Sequence, residues 1–129
     1  MAKVLIVEAN RANMKLAVIL LESANYTVVS ASDAEAALTL ARSERVDLIL
    51  MDVQLPGMDG LEAVAWLKRD EATRAIPVMA VTALAMNGDE ERIRAAGYDG
   101  YIAKPIRHWE FLDTVAAQLA QTGAGRRPR

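Results

Sequence analysis

The sequence predicts an α/β fold in which a parallel sheet is covered by helices on both faces. Three observations lead there. Five short apolar runs recur, their starts 22 to 30 residues apart, which is the length of a strand, a helix and their loops. The runs are rich in β-branched residues and bounded by polar or turn residues, as buried strands are. The stretches between them repeat apolar residues at helical spacing. Parallel neighbours need crossover connections, and the right-handedness of those crossovers leaves few arrangements of five such units.

The first strand is read at residues 4–7, followed by a helix with Met14, Ala17, Val18 and Leu21 on one face. The second strand is placed at 26–29. The helix after it opens on Ser32 and Glu35, spaced as a capping box, and continues through Ala36, Ala37 and Leu40. The third strand spans 48–51. Beyond it Pro56-Gly57 marks a turn, and Asp59 with Glu62 three residues on starts a helix that buries Leu61, Val64 and Leu67. The fourth strand, 78–81, leads to a helix over 88–96 that stops at Gly97. The fifth strand, 101–103, leads to a helix carrying Leu112, Val115, Ala116 and Leu119. Phe111 and Trp109 are read as packing that helix, although Trp109 is offset from the apolar stripe and so available to a partner. His108 is placed on the surface.

With 129 residues the chain fits one domain and buries enough surface to fold without staples. The domain is read as residues 1–121. Residues 122–129, rich in Gly and Arg, are expected to be a disordered basic tail. The absence of cysteine excludes disulfides, thiolate zinc sites and cysteine nucleophiles, and the single His108 excludes a multi-histidine metal site. Arg126, Arg127 and Arg129 supply three of the 15 basic residues, so the remainder sets 12 basic against 17 acidic groups. Such a body repels phosphate backbones, and no nucleic-acid partner is expected. No apolar run is long enough for a signal peptide or a membrane span, so a cytoplasmic protein without a membrane partner is expected.

In an open parallel sheet, ligands bind beyond the carboxyl ends of the strands. The residues ending the strands here are Glu8-Ala9-Asn10, Asp52, Thr82-Ala83 and Lys104-Pro105. Two carboxylates, a hydroxyl and a lysine on one rim suit a hard cation and a phosphoryl group: oxygens bind Mg²⁺, while lysine and hydroxyl neutralise phosphoryl oxygens.

Four ordered segments sharpen this reading: Val4-Leu5-Ile6-Val7-Glu8, the stretch from Leu48 through Asp52 and Pro56 to Gly60, Ala80-Val81-Thr82-Ala83, and Tyr101-Ile102-Ala103-Lys104-Pro105. Together they resemble the response-regulator receiver domain over residues 3–120. Asn13-Met14-Lys15-Leu16 and the stretch 85–94 look most like the single-domain, DivK-type members. The resemblance implies a flavodoxin-like (βα)5 fold with strand order 2-1-3-4-5, two helices on one face and three on the other. It also implies a bacterial two-component phosphorelay. Asp52 would accept a phosphoryl group from a histidine kinase or phosphotransfer protein. Glu8 would assist Mg²⁺ through water, and the backbone carbonyl of Gln54 would be a ligand beside Asp52. Lys104 would pair with a phosphoryl oxygen, its aim set by a cis bond to Pro105. Thr82 would turn its hydroxyl onto the phosphate and Tyr101 would rotate inward, switching the face of helix four, strand five and helix five toward a downstream signalling protein. Gln54 and Leu84 would border the path of the hydrolytic water. The protein would be a monomer or weak dimer, and a phosphoacceptor switch rather than an enzyme with an external substrate.

Thr82 is also an ordinary β-branched strand residue and Tyr101 an ordinary core aromatic, so their switching roles rest on the resemblance alone. One position departs from the family. The usual second acidic residue after the first strand is Ala9, whose methyl group cannot bind metal, so weakened Mg²⁺ binding is expected. That departure supports an alternative, a pseudo-receiver that acts as an interaction module with impaired phosphorylation. A flavin-type cofactor protein on the same topology is disfavoured, because residues 8–13 lack a Gly- or Ser/Thr-rich phosphate loop.

Overall fold

The computed structural model describes residues 2–83 and 89–121. Strands and helices alternate from end to end: β1 (Lys3–Val7), α1 (Arg11–Ser23), β2 (Thr27–Ala31), α2 (Ala34–Ser43), β3 (Leu48–Met51), α3 (Gly60–Arg69), β4 (Val78–Thr82), α4 (Asp89–Ala96), β5 (Gly100–Ala103) and α5 (His108–Gln121). All neighbouring strands run parallel, in the order β2-β1-β3-β4-β5. This is the predicted doubly wound sheet, with the predicted order.

The interior strands β1, β3 and β4 are buried on both sides, which is why they read as continuous apolar runs. Their side chains alternate between two cores. Val4, Ile6, Leu48, Leu50, Met79 and Val81 pack with Ala17, Leu20 and Leu21 of α1 and Phe111, Val115 and Leu119 of α5. Leu5, Val7, Ile49, Met51, Val78 and Ala80 pack with Ala34, Ala37 and Ala41 of α2, Ala63, Val64 and Leu67 of α3 and Ile93 of α4. Two helices therefore lie on one face and three on the other, as expected.

Three local expectations are corrected. The cap of α2 is Asp33, not Ser32: its carboxylate accepts the Ala36 N–H, which moves the start one residue along and leaves Glu35 in the first turn without a capping-box partner. Ala36 is consequently exposed. Strand β2 begins at Thr27 and not Tyr26, because the Tyr26 N–H turns back to the Leu21 carbonyl at 3.1 Å while Thr27 donates to Ala2. In α5, Phe111 is fully buried but Trp109 is 72% exposed and stacks on His108, off the Phe111, Val115, Leu119 stripe. Asp59 caps α3 as predicted, accepting the Glu62 N–H at 2.9 Å.

At the amino edge of the sheet, Lys68 of α3 ties three segments together. Its Nζ donates to the Ile76 carbonyl (2.9 Å) and to Asp99 Oδ2 (3.0 Å), and the same Asp99 oxygen accepts the Val78 N–H (2.8 Å). Arg94 of α4 donates to the Asp99 carbonyl at 3.3 Å.

Candidate functional site

The parallel register brings the carboxyl ends of β1, β3, β4 and β5 to one rim, and the chain leaves each strand there with a polar side chain. Glu8 follows β1 and is 4% exposed; Asp52 follows β3 and is 5% exposed. Each main chain is held by its neighbour: the Glu8 N–H donates to Ala31 and the Asp52 N–H to Val7, both at 3.1 Å.

Lys104, just beyond β5, joins the two acids. Its ammonium lies 2.6 Å from Asp52 Oδ2 and 2.8 Å from Glu8 Oε1. The second oxygen of each carboxylate accepts a main-chain N–H two residues on, from Gln54 to Asp52 Oδ1 (3.0 Å) and from Asn10 to Glu8 Oε2 (3.1 Å). Both buried acids are thus aimed by a charge-assisted bond and a backbone bond. Burial alone would lower the Lys104 pKa, but the hydrogen bonds and charges of Asp52 and Glu8 outweigh it and raise it above 10.5. Two carboxylates against one ammonium leave the cluster with a net charge of about −1.

Thr82 ends β4 fully buried, and its carbonyl accepts the Lys104 N–H at 2.9 Å, so β4 and β5 deliver the hydroxyl and the lysine together. Tyr101 is half-buried against the α2–α4 core. The Lys104–Pro105 bond is cis. The Gln54 side chain is exposed, while Leu84 lies outside the described residues, as does the tail 122–129. The bond between Lys104 and Glu8 was not foreseen, nor was Tyr98. The hydroxyl of Tyr98 donates to the Asp52 carbonyl at 3.4 Å. Its only sequence signal is an aromatic placed between Gly97 and Gly100, directly after a helix end.

Ala9 is exposed beside Glu8, and among the described residues no group of three His, Cys, Asp or Glu side chains comes together. The donors present are still hard oxygens, and two carboxylates within reach of one cation suit Mg²⁺. Glu8, Asp52 and the Gln54 carbonyl are the groups that would hold it, one carboxylate short of the family's usual set.

A model of the response regulator receiver domain matches residues 4–116. The chain belongs to the response-regulator receiver family. Its relatives include the polar-differentiation response regulators DivK of Brucella anthropi and Brucella abortus, each 52% identical over 116 residues that cover 90% of this chain and 94% of the relative. Among solved structures, the receiver domain of a Pseudomonas aeruginosa sensor histidine kinase, with a magnesium ion coordinated in its active-site cleft, is 34% identical. It has a TM-score of 0.86 and matches 92% of this chain and 98% of its own. The chemotaxis response regulator CheY4 of Vibrio cholerae is 29% identical with the same TM-score, over 91% and 98% of the two chains. As a receiver domain resembling DivK, the chain is a component of two-component signalling. No helix among the described residues is long and apolar enough to cross a membrane.

Proposed function

We propose that this receiver is a phosphorylation switch in which Asp52 accepts a phosphoryl group from the phosphohistidine of a histidine kinase or phosphotransfer protein. The observation that carries the reading is the Asp52 carboxylate, buried at the end of β3 with one oxygen on Lys104 and the other on the Gln54 N–H. An Asp52 oxygen attacks phosphorus, the bond to the histidine nitrogen breaks, and the imidazole keeps that electron pair and takes up a proton. The product is an acyl phosphate on Asp52.

Mg²⁺, bound through Glu8, Asp52 and the Gln54 carbonyl, would supply charge neutralisation for the phosphoryl oxygens. The chain's own residues do the rest. Lys104, already at 2.6 Å, moves its positive charge from carboxylate to phosphoryl oxygen. The Thr82 hydroxyl binds a further oxygen, and Tyr101 follows it inward, shifting the population of the α4-β5-α5 face that a downstream signalling protein reads. The switch takes part in its own phosphotransfer and hydrolysis and turns over no external substrate. Gln54 orients the hydrolytic water and Leu84 excludes it. It works in the cytoplasm as a monomer or weak dimer, with protein partners only, its acidic body repelling nucleic acid.

Incubation with Mg²⁺ and acetyl phosphate, followed by intact-mass measurement, tests this. One added phosphoryl group is expected, and none in Asp52→Asn. A chain that gains no mass is instead the interaction module that Ala9 suggests.

A further inference from the structure

We infer that Tyr98 is a positioning residue for phosphoryl transfer, its hydroxyl holding the main-chain carbonyl of Asp52; the inference rests on Asp52 being the phosphoacceptor. Tyr98 is 3% exposed, and its ring lies in the core between the sheet and α2–α4. A phenylalanine would fill that space equally. The hydroxyl is the costly part, because a buried O–H needs an acceptor. It reaches 46 residues back along the chain, to the carbonyl one residue beyond the end of β3.

The room for this contact is made by Gly60, the first residue of α3. A Cβ there would overlap both the Asp52 carbonyl oxygen and the Tyr98 hydroxyl, and would crowd the Val53 Cα. Gly60 itself donates to the Val53 carbonyl at 2.8 Å, so the successive carbonyls of Asp52 and Val53 each accept a hydrogen bond. That matters because the Gln54 N–H, which aims Asp52 Oδ1, belongs to the next peptide unit, whose Val53 carbonyl is the one Gly60 holds. Tyr98 and Gly60 together hold the two peptide units between the Asp52 side chain and the Gln54 N–H that it accepts from. The far end of the tether is also anchored: the Tyr98 N–H donates to the Ile93 carbonyl of α4 at 3.3 Å.

A purely structural Tyr98 predicts that activity follows stability; a positioning Tyr98 predicts that activity follows the hydroxyl. The experiment compares wild type with Tyr98→Phe and Tyr98→Leu in the full chain, at saturating Mg²⁺ with acetyl phosphate. It reads phosphorylation rate by intact mass, thermal unfolding, and the ¹³C shift of the Asp52 carbonyl in the unphosphorylated protein. Both variants should phosphorylate roughly three- to tenfold more slowly, the scale of one hydrogen bond. Both should show the same displaced carbonyl shift, although the leucine variant loses far more thermal stability. A Tyr98→Phe protein with wild-type rate and carbonyl shift overturns the inference, as does a slowing that tracks stability across the two variants. If the leucine variant does not fold, the rate and shift of Tyr98→Phe decide alone. A wild type that gains no phosphoryl group overturns the reading of Asp52 itself; a wild type that gains it while Tyr98→Phe matches its rate overturns only the role of Tyr98.

Discussion

The two faces of the sheet are built differently. The buried core under α1 and α5 is aliphatic apart from the ring of Phe111. The face under α2–α4 packs through small residues, Ala34, Ala37, Ala41 and Ala63, and admits a phenol, Tyr98. It also takes in Val53 and Leu55 from the loop that follows Asp52, whereas no residue of that loop enters the other core. One face therefore holds the molecule together, while the other holds it together and also touches the main chain of the site. A substitution of similar size should have different consequences on the two sides.

Phe111→Ala tests the first half of that contrast. Emptying a fully buried aromatic site should cost about 3–5 kcal/mol in urea unfolding. The phosphorylation rate of the folded fraction should stay at the wild-type value. Gly60→Ala tests the second half. The added methyl group meets the Asp52 carbonyl and the Tyr98 hydroxyl, so about 1–3 kcal/mol of stability should be lost to overpacking. Here phosphorylation of the folded protein should slow as well, and a Gly60→Ala rate equal to wild type would erase the distinction between the faces.

The rim sharpens the comparison. Ala9→Asp adds one carboxylate beside Glu8 and Asp52, and should tighten Mg²⁺ binding about tenfold in a direct titration, the scale of one added charge near the surface. Phosphorylation at subsaturating metal should quicken in parallel. Equal affinities would mean that Glu8 or water already completes the site. The smallest effect belongs to the cap of α2: Asp33→Ala should cost about 1 kcal/mol in thermal or urea unfolding, against a few tenths for Glu35→Ala.

The architecture was legible because interior parallel strands advertise themselves as uninterrupted apolar runs, and Asp59 and Gly97 mark helix ends by their own chemistry. Element edges were less so. Ser32 and Asp33 are both good caps, and only the backbone conformation selects Asp33. The start of β2 depends on where α1 unwinds, with Asn25 at φ +70° and Tyr26 bonded back to Leu21. Glu8, Asp52, Thr82 and Lys104 could be gathered from sequence, since each ends a strand. Tyr98 could not: it belongs to no strand end, and its reach to Asp52 follows from a glycine 38 positions earlier leaving room. Contacts that depend on an absent side chain leave no periodicity to read.

The Lys68–Asp99 tie has a mechanical consequence. It pins the starts of β4 and β5 to α3, and Arg94 adds the end of α4 to the same knot. The last turn of α4 is therefore tied to the amino edge of the sheet, while its first turn takes no part in the knot. The eight residues of α4 span about 12 Å, so a rotation of about 10° around the pinned end sweeps Asp89 through about 2 Å while Ala96 barely moves.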